Sequence, residues 1–258
     1  MILCLDIGNS QIFGGVFGNE SLELTFRRTS QLRSSSDELG VFFRTVLREN
    51  DIDPRSITKV GICCVVPDLL YSLRATCQKY FRIEPLILRP GIKTGLKILY
   101  RDPREVGADR IADAIGAVKL YPKRNIIVAD FGTATTICAI SHNREFLGGN
   151  IIPGLNLSMR ALEEKTAQLP SVEIVSAKTA IGRSTVESIQ AGLYWSNVGM
   201  VRELVKRISE EEFSAGNPVV IGTGGFAQLF NRENLFDEVV PDLILKGLRE
   251  LIRLNTKE

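Results

Sequence analysis

Two short segments that combine acidic residues with glycine constrain the fold more than any other feature of this sequence. The first begins at Asp6 and the second at Asp130, and each lies between two apolar runs. This pattern predicts a buried strand, a tight Asp-x-Gly turn and a second strand. Because the two turns start about half of the 258-residue chain apart, the sequence predicts a duplicated unit.

Turns of this kind suit phosphate chemistry. Glycine lets the backbone approach a ligand closely, successive N–H groups form an anion-binding concavity, and a carboxylate at a strand end can hold Mg²⁺ through water. A single copy is explained more simply as a hairpin in which Asp and Gly serve the turn. The repetition favours two turns that hold a nucleoside triphosphate.

Composition excludes several other classes of function. The net charge of +2 gives no general attraction to nucleic acid, and no apolar stretch approaches the ~20 residues that span a bilayer. The start lacks a secretion signal, and the five cysteines form no CxxC pair, so we expect a cytoplasmic protein with reduced thiols and no membrane or nucleic-acid partner. With His142 as the one histidine, a histidine-rich metal site is excluded.

The hydrophobic pattern predicts an α/β protein. The first half is predicted to contain strands at 2–8, 11–17, 22–28, 59–66 and 85–88. Its predicted helices are one with its N-cap and first turn within 34–38 that runs to about 49, one at 67–80 and a third after Gly107. The second half is predicted to contain strands at 125–130, 134–140, 144–151 and 218–221, with helices at 155–165, 184–209 and 242–254. This order of elements, given twice, predicts two lobes with mixed sheets, over residues 1–117 and 118–258.

Four motifs in order carry a resemblance to a known family. They are Asp6-Ile7-Gly8-Asn9-Ser10, Gly107-Ala108-Asp109-Arg110, Asp130-Phe131-Gly132-Thr133-Ala134-Thr135 and Gly148-Gly149-Asn150-Ile151-Ile152-Pro153-Gly154. The paired turns resemble those of the acetate and sugar kinase, Hsp70 and actin superfamily, and the full set resembles type III pantothenate kinases over nearly the whole chain. Ser10 stands where that family usually has Thr, and Gly182 to Thr185 departs from its Gly-Lys-Asn-Thr.

The resemblance implies a fold and an activity. The fold is two duplicated ribonuclease-H-like (actin-like ATPase) lobes with an interlobe cleft. The activity is phosphorylation of pantothenate by ATP at the 4′-hydroxyl, the first step of coenzyme A biosynthesis. The expected cofactors are Mg²⁺ and a monovalent cation, K⁺ or NH₄⁺, and the expected assembly is a homodimer.

The resemblance also assigns roles to individual residues. Asp109 resembles the catalytic base; a carboxylate at a helix start can accept a hydroxyl proton, although it can equally serve only the helix dipole. The implied pantothenate contacts are Tyr100, Gly107, Ala108, Arg110 and Thr185. The implied ATP contacts are Asp6, Ile7, Gly8, Asn9, Ser10, Gln11, Ile12, Phe13 and Thr133. Asp6 is also implied to hold Mg²⁺ through water, and Asp130 to bind the monovalent cation.

Three further segments have alternative interpretations. Gly222 to Ala227 fits G-x-G-x-x-A after a strand, but too little chain follows for a dinucleotide-binding half. The resemblance to the kinases implies instead that this turn lies near the adenosine. The segment Gly148 to Gly154 is either a flexible turn or a substrate and subunit contact. The helix from Ser184 is either core or a dimer seam.

Two other functions compete with this interpretation. A kinase of the same superfamily acting on another hydroxy compound or sugar would share all of these motifs. A regulator of transcription like the Bvg accessory factors is the second, although the balanced charge and the lack of a basic recognition helix argue against direct DNA binding.

Overall fold

The computed structural model describes residues 1–19, 21–31, 33–213 and 216–256. Its strands are β1 Ile2–Ile7, β2 Gln11–Phe17, β3 Leu22–Thr29, β4 Lys59–Cys64, β5 Leu86–Ile87, β6 Lys97–Ile98, β7 Ile126–Phe131, β8 Ala134–Ile140, β9 Glu145–Pro153, β10 Val219–Thr223 and β11 Glu238–Val239. Its α-helices are α1 Ser36–Glu49, α2 Pro67–Thr76, α3 Ala108–Leu120, α4 Leu155–Lys165, α5 Thr185–Glu212 and α6 Leu243–Asn255.

The strands form two mixed sheets of matching order. The first runs β3-β2-β1-β4-β5. The second, read from the corresponding edge, runs β6-β9-β8-β7-β10-β11, which is the same order with β6 added at one edge. In the first, β1 pairs antiparallel with β2 and parallel with β4; in the second, β7 pairs antiparallel with β8 and parallel with β10. The predicted duplication of a strand–turn–strand unit within an α/β fold is therefore confirmed.

The chain divides into two compact units. Unit 1 comprises Met1–Leu96, Arg101–Lys119 and Leu243–Glu258, and unit 2 comprises Lys97–Tyr100 and Leu120–Asp242. The predicted division at 117/118 therefore needs a correction at the C-terminus, because α6 packs with the first sheet instead of the second. In unit 2, the chain after β10 forms a 3₁₀ segment, Ala227–Glu233, and the short strand β11.

Glycines explain how α6 approaches the rest of unit 1. A Cβ on Gly247 would overlap the carbonyl oxygen of Ala112 on α3 and lie 3.1 Å from the amide nitrogen of Gly116. A Cβ on Gly15 of β2 would lie 2.7 Å from the Leu245 side chain. Helix α6 thus contacts both α3 and the first sheet at a distance that only residues without side chains allow.

Helix α1 begins where the sequence predicts. Ser35 is its N-cap: the Ser35 Oγ accepts a hydrogen bond from the Glu38 N–H at 3.2 Å, and a Glu38 carboxylate oxygen accepts one from the Ser35 N–H at 2.7 Å. This reciprocal capping box satisfies two donors at the helix start. The buried stripe of Leu39, Phe43 and Leu47 then packs into the core of unit 1.

Two regions differ from the predicted pattern. Helix α2 ends at Thr76, four residues before the predicted end, and continues as a π-helical turn, Cys77–Phe81, that Arg82 ends in the left-handed conformation. The predicted loop 89–105 contains β6, which pairs parallel with β9. All five cysteines are free, and no helix among the described residues is both long and apolar enough to cross a membrane.

The contact between α3 and α6 gives a stability prediction. Gly247→Ala should lower the free energy of unfolding by about 1–3 kcal/mol, because the added methyl group meets backbone atoms that can yield only if a helix moves. Thr45→Ala, on an exposed face of α1, is the matched control and should change it by less than about 0.5 kcal/mol. Urea denaturation measures both, and equal midpoints would contradict the close packing.

Candidate active site

The first Asp-x-Gly turn lies between β1 and β2 in unit 1. Its ends are fixed by the Ile7–Ile12 register pair and by a hydrogen bond from the Gly8 N–H to the Gln11 carbonyl at 3.0 Å. Asn9 and Ser10 at the tip are exposed. The turn therefore presents backbone N–H groups and a short amide and hydroxyl side chain to solvent, as a phosphate-binding turn requires.

Not every residue predicted to contact ATP can use its side chain. Ile7 and Ile12 are completely buried, and Phe13 is 8% exposed with its ring beneath the Arg27 guanidinium. These three residues can offer a ligand only their backbone. The predicted contacts at Gly8, Asn9, Ser10 and Gln11 are accessible.

The start of α3 holds the predicted base. The Asp109 Oδ1 accepts a hydrogen bond from the Arg110 N–H at 2.8 Å, and a Cβ on Gly107 would overlap that oxygen. Glycine at 107 thus makes room for a carboxylate that turns back over the helix start. Asp109 is half-buried and Arg110 is 5% exposed, so a partly accessible carboxylate is followed directly in the sequence by a largely desolvated arginine.

Cys63 shows that the acidic residues of unit 1 lie near one another. It pairs with Asp6 in the β1–β4 register, and burial raises the pKa of its thiol well above the usual range. The negative charges of Asp6, Asp109 and Asp113 raise that pKa further. The thiol is therefore protonated at neutral pH, and it lies within electrostatic reach of all three carboxylates.

Asp113 is a candidate site residue that the sequence pattern did not single out. It is 5% exposed on α3, three positions after Arg110 and four after Asp109, which places all three on one side of the helix. The available signal was an acidic residue inside a helix of small apolar residues, Ile111 to Ala117. A carboxylate at such a position is rare unless it is paired, so it marks a functional or structural requirement.

The second Asp-x-Gly turn lies between β7 and β8 in unit 2. It is closed by a hydrogen bond from the Gly132 N–H to the Ala134 carbonyl at 3.2 Å. A Cβ on Gly154, the N-cap of α4, would lie 2.6 Å from the Gly132 carbonyl oxygen and would also overlap that of Thr133. The segment from Gly148 to Gly154 therefore supports this turn directly.

The Gly222–Gly225 segment also contacts this turn. Gly224 has a φ of +85°, and a Cβ there would overlap the Asp130 carboxylate and lie 2.6 Å from the Phe131 amide nitrogen. The Phe226 N–H donates to the Phe131 carbonyl at 3.4 Å. The predicted nucleotide-side segment thus packs against the predicted cation ligand, within unit 2.

Tyr100 and Thr185 also belong to unit 2. The Tyr100 ring packs on Phe146 with centroids 6.5 Å apart, and a Cβ on Gly148 would lie 3.6 Å from it. Thr185 is the exposed first residue of α5, while Ser184 is the N-cap, with its Oγ accepting from the Glu187 N–H at 3.2 Å. Because Ser184 supplies the N-cap, the Thr185 hydroxyl is not needed for capping.

The predicted residues therefore fall into two groups. Unit 1 contains the first turn and the start of α3, and unit 2 contains the second turn, Tyr100 and Thr185. Within the described part of the chain, no three His, Cys, Asp or Glu side chains group closely enough to ligate a metal ion together.

Comparison with solved structures identifies the class of fold. The chain is similar to a structure described as a 2-dehydro-3-deoxygalactonokinase from Sinorhizobium meliloti, with a TM-score of 0.58 and 12% identity over 98% of this chain and 96% of that one. It is also similar to a Campylobacter jejuni protein described as a Baf family transcriptional activator, with a TM-score of 0.61 and 21% identity over 97% of both chains. The fold, with its paired strand–turn–strand units, is that of the actin-like sugar kinases.

Sequence comparison then identifies the family. The model of the type III pantothenate kinase family matches residues 2–207. A type III pantothenate kinase from Legionella pneumophila strain Corby is 55% identical over 256 residues, covering 99% of this chain and 100% of the relative. Type III pantothenate kinase 1 from Francisella tularensis subsp. holarctica strain OSU18 is 46% identical over 255 residues, with 99% and 100% coverage. The chain belongs to the type III pantothenate kinase family.

Adjacent glycines give a matched test of the second turn. Gly224→Ala should destabilise the protein by about 1–3 kcal/mol, because alanine is strained at positive φ and its methyl group overlaps the Asp130 carboxylate. Gly225→Ala is the control, since nothing lies within 4 Å of a Cβ at that position. Thermal denaturation compares the two, and similar melting temperatures would contradict the packing of this segment on Asp130.

Proposed function

We propose that this protein transfers the γ-phosphoryl group of ATP to the 4′-hydroxyl of pantothenate, the first step of coenzyme A biosynthesis. The observation that carries the proposal is family membership over almost the whole chain, joined to a half-buried Asp109 at the start of α3. The reaction requires in-line positioning and neutralisation of phosphate charge more than covalent chemistry. The two turns and the start of α3 are suited to those tasks.

Asp109 acts as the general base. Its Oδ1 is engaged by the Arg110 N–H, so Oδ2 is the atom that accepts the proton from the 4′-hydroxyl. As the hydroxyl oxygen forms its bond to the γ-phosphorus, the bond from phosphorus to the bridging oxygen breaks and ADP leaves. Glycine at 107 lets the substrate approach this carboxylate without a side chain in the way, and the backbone of Gly107 and Ala108 lines the same approach.

Arg110 binds the carboxylate of pantothenate. A guanidinium suits a carboxylate because its planar fork donates two parallel hydrogen bonds, and its 5% exposure strengthens such a pairing by excluding water. The Tyr100 ring and the Thr185 hydroxyl are the further pantothenate contacts. Both belong to unit 2, and both have exposed or half-buried side chains.

The triphosphate is bound by the turn backbones. The N–H groups from Asn9 to Gln11, the Asn9 and Ser10 side chains and the Thr133 hydroxyl are the donors. Gly8, whose N–H closes the turn, allows a close approach, while Ile7, Ile12 and Phe13 contribute backbone alone. Asp6 offers an oxygen ligand of the kind that Mg²⁺ prefers, and would hold it through water. Magnesium would supply charge neutralisation at the phosphates.

Asp130 is the proposed ligand of a monovalent cation. Its carboxylate lies at the end of a buried strand against the Gly224 backbone, so it combines a negative charge with close access for a small ion. Oxygen donors of this type suit K⁺ or NH₄⁺. The ion would supply positive charge near the nucleotide phosphates.

The proposed assembly is a cytoplasmic homodimer that forms through unit 2. Large apolar side chains are exposed on this unit at Ile151, Leu157, Leu162, Ile181 and Val186. Exposed apolar side chains of this kind offer a surface that a second copy of the chain could cover. The five free cysteines are in keeping with a reducing compartment.

A coupled assay of ADP release tests the activity. ADP should form with pantothenate, should increase when K⁺ is added, and should not form with glucose or N-acetylglucosamine. ADP formation with a sugar and none with pantothenate would replace this proposal with that of a related sugar kinase.

Asp109→Asn tests the base. It should lower kcat by about 10²–10⁴-fold, because the amide cannot take the proton, while the affinity for ATP changes little. Asp102→Asn is the control, since Asp102 is paired with Arg104 on the surface. Retained turnover in Asp109→Asn would remove Asp109 from the mechanism.

Arg110→Lys tests recognition of the carboxylate. The KM for pantothenate should rise about 10-fold or more, because an ammonium group cannot reproduce the bidentate fork. Pantothenol, which has a hydroxymethyl group in place of the carboxylate, is the matched substrate and should be used equally by the wild type and the variant. An equal loss with both substrates would contradict a specific role for Arg110.

A further inference from the structure

The 3₁₀ segment Ala227–Glu233 is attached to α5 by a buried polar contact. The Tyr194 hydroxyl donates to the Glu233 Oε1 at 2.9 Å, and the Arg202 Nη2 lies 3.2 Å from both the Glu233 Oε2 and its carbonyl oxygen. Tyr194 is 2% exposed, and the Glu233 side chain is 17% exposed. Tyr194 and Arg202, which lie about two helical turns apart on α5, therefore hold one carboxylate at the end of the segment.

An aromatic stack joins the same segment to the second turn. The Tyr194 ring stacks on Phe230 with centroids 5.3 Å apart and an interplanar angle of 21°. Phe230 in turn packs on Phe131 with centroids 4.9 Å apart. Because Phe131 directly follows Asp130, the stack runs from α5 to the end of strand β7 without a break.

The other end of the segment is the turn that contacts Asp130. The Ala227 N–H donates to the Gly224 carbonyl at 3.4 Å, so the 3₁₀ segment continues directly from the turn. The glycines of that turn give it wide backbone freedom by themselves. Gly222 and Thr223 are held by the pairing of β10 with β7, whereas Gly224 and Gly225 lie between the Phe226 contact with Phe131 and the 3₁₀ segment. What holds the 3₁₀ segment therefore helps to fix these two glycines against Asp130.

We propose that Tyr194 and Glu233 are positioning residues that hold the Gly222–Gly225 turn against Asp130 and so set the affinity for ATP and the monovalent cation. The inference rests on the proposed function, because it assigns the turn to the nucleotide side of that site. Neither residue contacts a substrate. They act through the 3₁₀ segment, whose far end they fix.

The Tyr194 hydroxyl is a dependable donor. Burial and the Glu233 carboxylate raise its pKa to about 12, so it remains protonated throughout the working range of pH. The Glu233 carboxylate is a charged acceptor, and charge-assisted hydrogen bonds are stronger than neutral ones. Replacing Tyr194 with Phe removes the hydroxyl and keeps the stacked ring. The effect of the hydrogen bond can then be measured separately from that of the aromatic packing.

Tyr194→Phe is the variant that tests the proposal. The KM for ATP and the K⁺ concentration for half-maximal activation should each rise about 3- to 10-fold, and the KM for pantothenate should change by less than about 2-fold. The matched control is Glu203→Gln, which removes the exposed Arg207–Glu203 pair from the same helix and should leave all three values unchanged. Unchanged KM for ATP and K⁺ activation in Tyr194→Phe would overturn the proposal, as would equal losses for ATP and pantothenate.

A second variant and a binding measurement make the test independent of catalysis. Glu233→Ala removes the acceptor and should weaken ATP binding in the same way. The double variant should be no worse than the poorer single variant, because both changes break the Tyr194–Glu233 contact. Titration calorimetry with a non-hydrolysable ATP analogue should give the same ranking. If the wild type binds the analogue but does not phosphorylate pantothenate, the proposed function fails, while the calorimetry still tests the positioning role. Additive losses of analogue affinity in the double variant would overturn the positioning role.

Discussion

Each sheet of this protein depends on a central strand that pairs in two directions at once. β1 has β2 antiparallel on one side and β4 parallel on the other, and β7 has the same arrangement with β8 and β10. At the carboxyl end of such a strand, the chain turns back into the antiparallel neighbour, and the parallel neighbour leads into a helical segment. The end of the central strand is therefore left accessible to a ligand. Asp6 and Asp130 occupy these ends. A shift of one residue in register would carry each side chain to the opposite face of the sheet. The strand pairing therefore determines on which face each carboxylate lies.

Buried charge is the second feature that organises unit 1. Arg110 and Asp113 are each 5% exposed on a helix that is otherwise composed largely of small apolar residues. Desolvating such groups costs several kcal/mol per ion, and replacement by apolar residues often stabilises a fold. Their presence beside Asp109 therefore indicates a requirement of the site. The protonated Cys63 thiol provides a neutral surface among the three carboxylates, where a further charge would add to their repulsion.

The strands and the turns could be predicted from sequence because each depends on local patterns of two to ten residues, whereas the role predicted for Asp109 rests on the family resemblance. The partner of α6 could not, since an amphipathic helix specifies which face is buried but not what covers it. Asp113 was missed because its signal is one acidic residue in an apolar stretch. The Tyr194–Glu233 contact joins residues 39 positions apart, and no local pattern reveals such a pairing. Ser184 and Thr185 are both good N-caps by composition, and only the backbone conformation distinguishes them.

The position of α6 has a consequence for how the protein folds during synthesis. The first sheet leaves the ribosome early, but the helix that covers its β1–β4 face is translated only after all of unit 2. Throughout that interval, Gly15 and Gly61 lack the contacts that Leu245 and Ile252, respectively, make with them in the folded protein. Incomplete folding units that expose apolar surface are prone to aggregate and to engage chaperones. The nascent chain therefore depends on its unit 2 being completed quickly, and rare codons in that region would prolong the vulnerable stage.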